Sequence, residues 1–184
     1  MRNVIGFRAL IALAASLVIT FTRPDTAALG LAIFAGFALL HGLGSLAVGF
    51  TRKTSSASKT TSQLPSAVPL RNFVPQAIVA LIAATAALLA LGGSTSAKLA
   101  ALQITVMGYL VLTAALHTYL ASLSGFKTVE GRENLIAAGL AEAITIIFVL
   151  LNPEPLNASG FLGAYFALSA VHQGIWAASP TKAD

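Results

Sequence analysis

Six long apolar segments limit what this chain can fold into more than any other feature of its sequence. A helix needs roughly 20 apolar residues to cross a bilayer, whereas the strands of a membrane barrel are only about ten residues long and alternate in polarity. The segments of this chain are long and uninterrupted, so they predict an all-α integral membrane protein with six transmembrane helices. They cover about residues 4–21, 27–50, 73–91, 97–123, 135–151 and 159–178.

The low content of charged residues supports a lipid environment. Only 9% of the 184 residues are charged and 57% are hydrophobic, whereas a soluble domain has about 25% charged residues. The formal net charge is +5, but the basic residues flank the apolar segments instead of sharing one face. We therefore predict membrane lipids as partners and no nucleic acid. The chain has no cysteine, which excludes disulfides, thiolate metal sites and iron–sulfur clusters.

The positions of lysine and arginine predict the orientation of the helices. Cytoplasmic loops of membrane proteins carry an excess of these residues. With the N-terminus in the cytoplasm, the outer side carries only Arg23 and Lys98. We therefore expect both termini to be cytoplasmic. The inner side carries the nine others, which are Arg2, Arg8, Arg52, Lys53, Lys59, Arg71, Lys127, Arg132 and Lys182.

Short outer connections and longer inner ones divide the chain into three helical hairpins. Residues 1–50 are predicted to form the first transmembrane hairpin, and residues 72–184 the second and third hairpins with a short cytoplasmic tail. Between them, residues 51–71, TRKTSSASKTTSQLPSAVPLR, are basic and rich in Ser and Thr. Such a segment has little apolar surface to bury, so we expect a mobile cytoplasmic linker there.

The first and third hairpins resemble each other, which predicts a degenerate internal repeat. In each, a proline follows the first helix and a histidine lies in the second. Pro24 precedes His41 by 17 residues, and Pro153 precedes His172 by 19. The middle hairpin keeps its histidine, His117, and lacks the proline. The predicted architecture is therefore three pseudo-repeated helical hairpins.

The two stretches RPDTAALGLAIFAGFALLHGL and NPEPLNASGFLGAYFALSAVHQGI resemble the HdeD-like family of small six-helix bacterial membrane proteins. In this family a loop with Asn-Pro precedes a helix of small and aromatic residues. Arg23 stands here where the family usually has Asn. The resemblance implies a multi-pass protein of the bacterial inner membrane that is linked to acid stress. It brings no catalytic residues to this chain.

The three histidines predict one polar cluster at the cytoplasmic side. They lie on the second, fourth and sixth segments, roughly 9–14 Å from the inner ends at 1.5 Å per residue. Other polar residues of the first, third and fifth segments reach a similar depth. The predicted cluster consists of His41, His117, His172, Glu142, Gln76 and Arg8.

Glu142 is the most demanding residue of this set. A carboxylate in a spanning helix costs a few kcal/mol unless it is paired, protonated or hydrated, so we expect Arg8 or a histidine as its partner. A histidine beside a carboxylate titrates near physiological pH. We therefore predict a cluster that senses or conducts protons or a small solute. Helical spacing adds hydroxyls to it, with Tyr165 and Ser169 on the face of His172, and Tyr109 and Thr113 on the face of His117.

Several alternatives remain open from the residues alone. Each histidine could simply hydrogen-bond a neighbouring helix. Three histidines also suit a metal, and two suit haem or a pigment, although we predict no metal and no cofactor. The chain has no arrangement typical of a nucleophilic or acid–base enzyme, so we predict a non-enzymatic protein. The alternative functions are an accessory or structural subunit that packs against a larger membrane complex through lipid or pigment, and a haem-binding electron carrier. The predicted assembly is a homo-oligomer or a larger membrane complex.

Overall fold

The protein is all α-helical in a computed structural model that describes residues 2–55, 68–150 and 154–178. This confirms the predicted all-α fold with six helices. The helices are α1 (Arg2–Thr22), α2 (Ala27–Ser55), α3 (Val68–Ala90), α4 (Thr95–Ser124), α5 (Val129–Leu150) and α6 (Pro155–Ala178).

Five of the helices, α1 to α5, are long and apolar enough to cross a membrane, which fits a multi-pass membrane protein. α6 is equally long but carries polar residues along its length, including Asn157, Ser169, His172 and Gln173. It packs extensively along α1. That α6 also crosses the membrane, and that the hairpins are repeats, stay predictions.

Two helices begin earlier than the sequence predicts. α5 begins at Val129, not at residue 135, because Thr128 caps it by accepting a hydrogen bond from the Gly131 amide at 3.0 Å. α6 begins at Pro155, not at residue 159, and a proline at the first helical position needs no amide partner. Hydrophobicity marks only the apolar layer, whereas the helices extend beyond it.

Side-chain caps also begin two other helices. Thr26 caps α2 by accepting a hydrogen bond from the Leu29 amide at 3.3 Å, and Ser94 caps α4 in the same way. The predicted linker at 51–71 lies in part outside the described residues. At its two ends, the described chain continues α2 to Ser55 and begins α3 at Val68.

The six helices form a closed ring in chain order. Each helix contacts the next, and α6 contacts α1. Within the described residues, α2, α4 and α6 also contact one another, whereas α1, α3 and α5 do not. The even-numbered helices therefore form the centre, and each odd-numbered helix lies outside, between two of them. This arrangement brings the three histidine-bearing helices together.

The centre of the bundle is closely packed. Leu31 and Phe34 of α2, Leu102 of α4 and Phe166 of α6 are fully buried there. Gly30 allows the close approach, because a Cβ at this position would lie 3.0 Å from Leu102 and 2.9 Å from the Ser159 hydroxyl. Large apolar side chains also cover the outside of the bundle, as expected where lipid is the solvent.

Candidate functional site

A cavity lies at one end of the bundle, where α1, α3 and α5 begin and α2, α4 and α6 end. We call this end the basic end, because seven of the nine lysines and arginines among the described residues belong to the helix ends and the turn on this side. The cavity offers about 60 Å³ to the centre of a water-sized sphere. Every helix contributes a polar side chain to its lining, namely Arg8, His41, Gln76, His117, Asn134 and His172.

Five of the six residues that the sequence assigns to the polar cluster line this cavity. They are Arg8, His41, Gln76, His117 and His172. The hydroxyl-bearing residues predicted on the same helix faces as His117 and His172 line it as well. They are Tyr109 and Thr113 of α4 and Tyr165 and Ser169 of α6.

Glu142 does not line the cavity, which corrects its predicted place in the cluster. Its side chain is exposed on the outside of α5. The inward face of this helix carries Asn134, Ala138 and Ala141, and one residue along a helix is a rotation of about 100°. Glu142 therefore turns away from the bundle where Ala141 turns towards it. Glu142 was predicted from its depth in the membrane, but it lies on the outer face of α5.

Arg8 and His41 form the centre of the site. Arg8 is only 7% exposed, and its guanidinium donates a hydrogen bond to Nε2 of His41. Because a guanidinium can only donate, Nε2 is the acceptor and the proton of the neutral imidazole is on Nδ1. The guanidinium also lies over the Phe73 ring, 5.8 Å from its centroid. Arg8 thus keeps its charge next to two neutral groups.

Two successive hydrogen bonds to α5 fix the ring of His117. Its Nδ1 lies 2.8 Å from Oδ1 of Asn134, and the amide nitrogen of Asn134 donates to the Glu130 carbonyl at 3.0 Å. The second bond fixes the orientation of the Asn134 amide, so Oδ1 accepts from Nδ1–H of His117. Nε2 of a neutral His117 is then an acceptor.

His172 pairs with a carboxylate at the rim of the site. Its Nε2 lies 3.5 Å from Oε2 of Glu133, and both side chains are partly exposed. The expected carboxylate–histidine pair is therefore present, but the carboxylate is Glu133 and not Glu142. At this distance and exposure the pair orients the ring more than it stabilises the fold.

Tyr109 of α4 and Tyr165 of α6 bring the hydroxyl-bearing faces of these two helices together. Tyr109 lies near Thr113 and Tyr165, and Tyr165 lies near Ser169. The two rings meet edge to face at 6.5 Å between centroids. The hydroxyl-bearing residues of α4 and α6 therefore lie together at the cavity.

Unpartnered polar atoms are concentrated at this cavity. In the described part of the chain, five buried side-chain atoms lack a hydrogen-bond partner, and four belong to cavity-lining residues. Buried polar atoms are nearly always paired, so these exceptions need an explanation, and water or a ligand in the cavity supplies one. The four atoms are Nε of Arg8, Nδ1 of His41, Oε1 of Gln76 and Oε1 of Gln173.

Sequence reasoning missed Glu133 and Asn134 because it placed both in a loop before α5. The signal that could have found them is Thr128 followed by Glu130, a cap residue with an acid in the first helical turn. With that start, Asn134 would have been placed at the depth of the histidines.

No family model, curated protein or solved structure matches this chain. Among the described residues, no group of three His, Asp or Glu side chains lies close enough to hold a metal ion. The interpretation of the site therefore depends on its own chemistry.

Proposed function

We propose that this chain is a non-enzymatic, multi-pass membrane protein that binds a small polar solute in the cavity of the basic end, in order to sense or move it. The proposal places the protein in a bacterial inner membrane with both termini in the cytoplasm. The distribution of basic residues supports this orientation. The resemblance to the HdeD-like family supports a role in acid stress.

One observation carries the proposal, namely the buried guanidinium of Arg8 at the cavity. Arg8 is hydrogen-bonded to a neutral imidazole, while its Nε remains unpartnered. Each unsatisfied buried polar group costs about 1–3 kcal/mol, and charged groups cost more. Four such atoms at one cavity would be a large penalty in a protein of ordinary stability. A polar solute or water in the cavity removes that penalty.

Measuring the access of water to the cavity tests this proposal. The chain has no cysteine, so an introduced cysteine is its only thiol. Ser169 lines the cavity, whereas Leu168, its neighbour at nearly the same depth, is exposed on the outside of α6. In a lipid vesicle, a charged thiol reagent should label Ser169→Cys from the side of the basic end. It should leave Leu168→Cys unlabelled, because lipid excludes the reagent. Equal labelling of both variants, or of neither, would contradict a hydrated solute site.

A specific observation also favours the accessory-subunit function. Glu142 lies exposed on the outside of α5, a helix apolar enough to cross a membrane, and lipid solvates a carboxylate poorly. A polar group of a partner helix against this face would remove the cost. Native electrophoresis in mild detergent should then show a complex that Glu142→Leu dissociates. A single species of unchanged size in both proteins would contradict this function.

A further inference from the structure

We infer that the solute of this cavity is a small monovalent anion of the carboxylate or planar oxoanion type, held by the Arg8 guanidinium and the imidazole of His41. This inference rests on the proposed function, because it names the chemical class of solute that the same cavity takes.

The charge of the lining is the first argument. Arg8 is cationic and buried, and its recorded partners, the His41 ring and the Phe73 face, are both neutral. The carboxylate found near the histidines, Glu133, belongs to the rim and pairs with His172. A buried charge is stable only when it is compensated, so the cavity favours a ligand with one negative charge. A cation or a second arginine would add to the imbalance.

The donors are the second argument. Nε–H of Arg8 and Nδ1–H of His41 belong to side chains that a hydrogen bond already holds together, and neither donor has a partner. Nε–H of a charged guanidinium is a strong donor for an oxygen of a carboxylate or planar oxoanion. Nδ1–H of His41 points away from the Nε2 atom that faces Arg8, so it adds a separate donor on the far side of the ring. The hydrogen bond to Arg8 also fixes the His41 tautomer, because Nε2 must accept. Arg8 therefore prepares His41 as a donor.

The acceptors of the cavity are consistent with such a ligand. Oε1 of Gln76 and Oε1 of Gln173 are unpartnered. A half-turn of either amide presents its NH₂ group in place of the carbonyl. The glutamines can thus donate to a third oxygen of the anion or accept from a water beside it.

The size of the cavity suits a small ligand. A space of about 60 Å³ for the centre of a water-sized sphere has room for several water molecules. An anion of three or four heavy atoms fits this space, for example formate, acetate, nitrate or bicarbonate. A divalent anion would leave one charge uncompensated beside a single guanidinium.

The experiment compares an anion with its neutral isostere on the full chain in lipid nanodiscs. Trp176 is the only tryptophan of the chain and lines the cavity, so its fluorescence reports binding there. Sodium acetate and acetamide are titrated at constant pH, with sodium sulfate, a divalent anion, keeping the ionic strength constant. The thermal unfolding midpoint is recorded on the same samples, because a bound ligand raises it whether or not the fluorescence changes.

We expect a saturable response to acetate, with half-saturation at a concentration about tenfold or more below that of acetamide. Arg8→Gln should abolish the preference for acetate, whereas Arg8→Lys should keep part of it. Glu142→Gln, which removes a charge outside the cavity, should leave the titration unchanged. The wild-type comparison decides on its own if Arg8→Gln does not fold.

Three other results would each contradict a different statement about the cavity. Acetamide binding as tightly as acetate, or more tightly, would overturn the anion assignment and leave the solute-binding function in place. No response to either ligand in fluorescence or in thermal stability would overturn both. An acetate response that persists in a folded Arg8→Gln protein would move the anion site away from Arg8.

Discussion

Arg8 on the first helix donates a hydrogen bond to Nε2 of His41 on the second helix, at a point where both side chains are buried. This single bond has two consequences. It gives the guanidinium an acceptor inside an apolar bundle, and it leaves Nδ1–H of His41 as the outward donor of the pair. The charge of Arg8 and the tautomer of His41 therefore depend on each other, and both define the cavity.

The first prediction concerns the acceptor that His41 provides. His41→Leu removes it and leaves the buried guanidinium with one partner fewer, so we expect a loss of about 1.5–3 kcal/mol in the free energy of unfolding. His41→Gln supplies a carbonyl oxygen to the same donor and should lose clearly less. Reversible unfolding in mixed micelles measures both. If His41→Leu is as stable as the wild type, the bond does not hold the two helices together.

The second prediction uses two glycines of α2. A Cβ at Gly42 would lie 2.8 Å from Cγ of Leu81 and 3.3 Å from the Ala77 carbonyl oxygen, whereas a Cβ at Gly36 meets nothing within 4 Å. Gly42→Ala forces α2 and α3 apart, and we expect it to destabilise the protein by about 1–3 kcal/mol. Gly36→Ala should be neutral or stabilising by up to about 1 kcal/mol, because alanine favours the helix.

Unfolding of the two alanine variants under the same conditions provides the comparison. Both carry the same chemical change on the same helix, so a difference between them reports the local packing. Equal stability of the two would show that α2 and α3 do not approach as closely at Gly42 as the structure places them.

The sequence predicted the helices and the depth of the polar residues well, for a physical reason. Runs of apolar residues are long because the bilayer is thick, and a histidine within such a run is conspicuous. The strips of Tyr109, Thr113 and His117 on α4 and of Tyr165, Ser169 and His172 on α6 could be predicted from helical spacing. All six side chains line the cavity.

The faces of the outer helices could not be predicted in the same way. In a soluble helix the polar side marks the outside, but in α5 both the buried face and the lipid-exposed face are apolar. Periodicity therefore gave no reason to turn Glu142 outwards. The polar start of α5 caused the second error, because hydrophobicity ends at the edge of the apolar layer while the helix continues past it to Val129.

The third prediction concerns membrane topology. Among the described residues, seven lysines and arginines belong to the basic end of the bundle and two, Arg23 and Lys98, to the other end, so the basic end should face the cytoplasm. A reporter fused after Asp184 should read as cytoplasmic, and one inserted at Ser94, in the turn between α3 and α4, should read as external. Moving basic residues to the outer turns should weaken this preference. The opposite reading at both sites would invert the proposed orientation of the cavity.

The fourth prediction distinguishes the two glutamates of α5 by their effect on the histidines. Glu133 lies 3.5 Å from His172, whereas Glu142 is exposed on the other side of the helix. In protein with isotopically labelled histidine, Glu133→Gln should shift the imidazole resonances of His172, because the group facing its Nε2 changes from a carboxylate to an amide. Glu142→Gln should leave the resonances of all three histidines in place.

The two variants make the same chemical change on one helix, so each serves as the control of the other. The three histidines are assigned by replacing each in turn with glutamine. A shift of His41 or His117 on removal of Glu142 would return this carboxylate to the polar cluster. It would also give the cavity a negative charge that competes with an anion for Arg8, so the same spectra bear on the class of solute that the cavity binds.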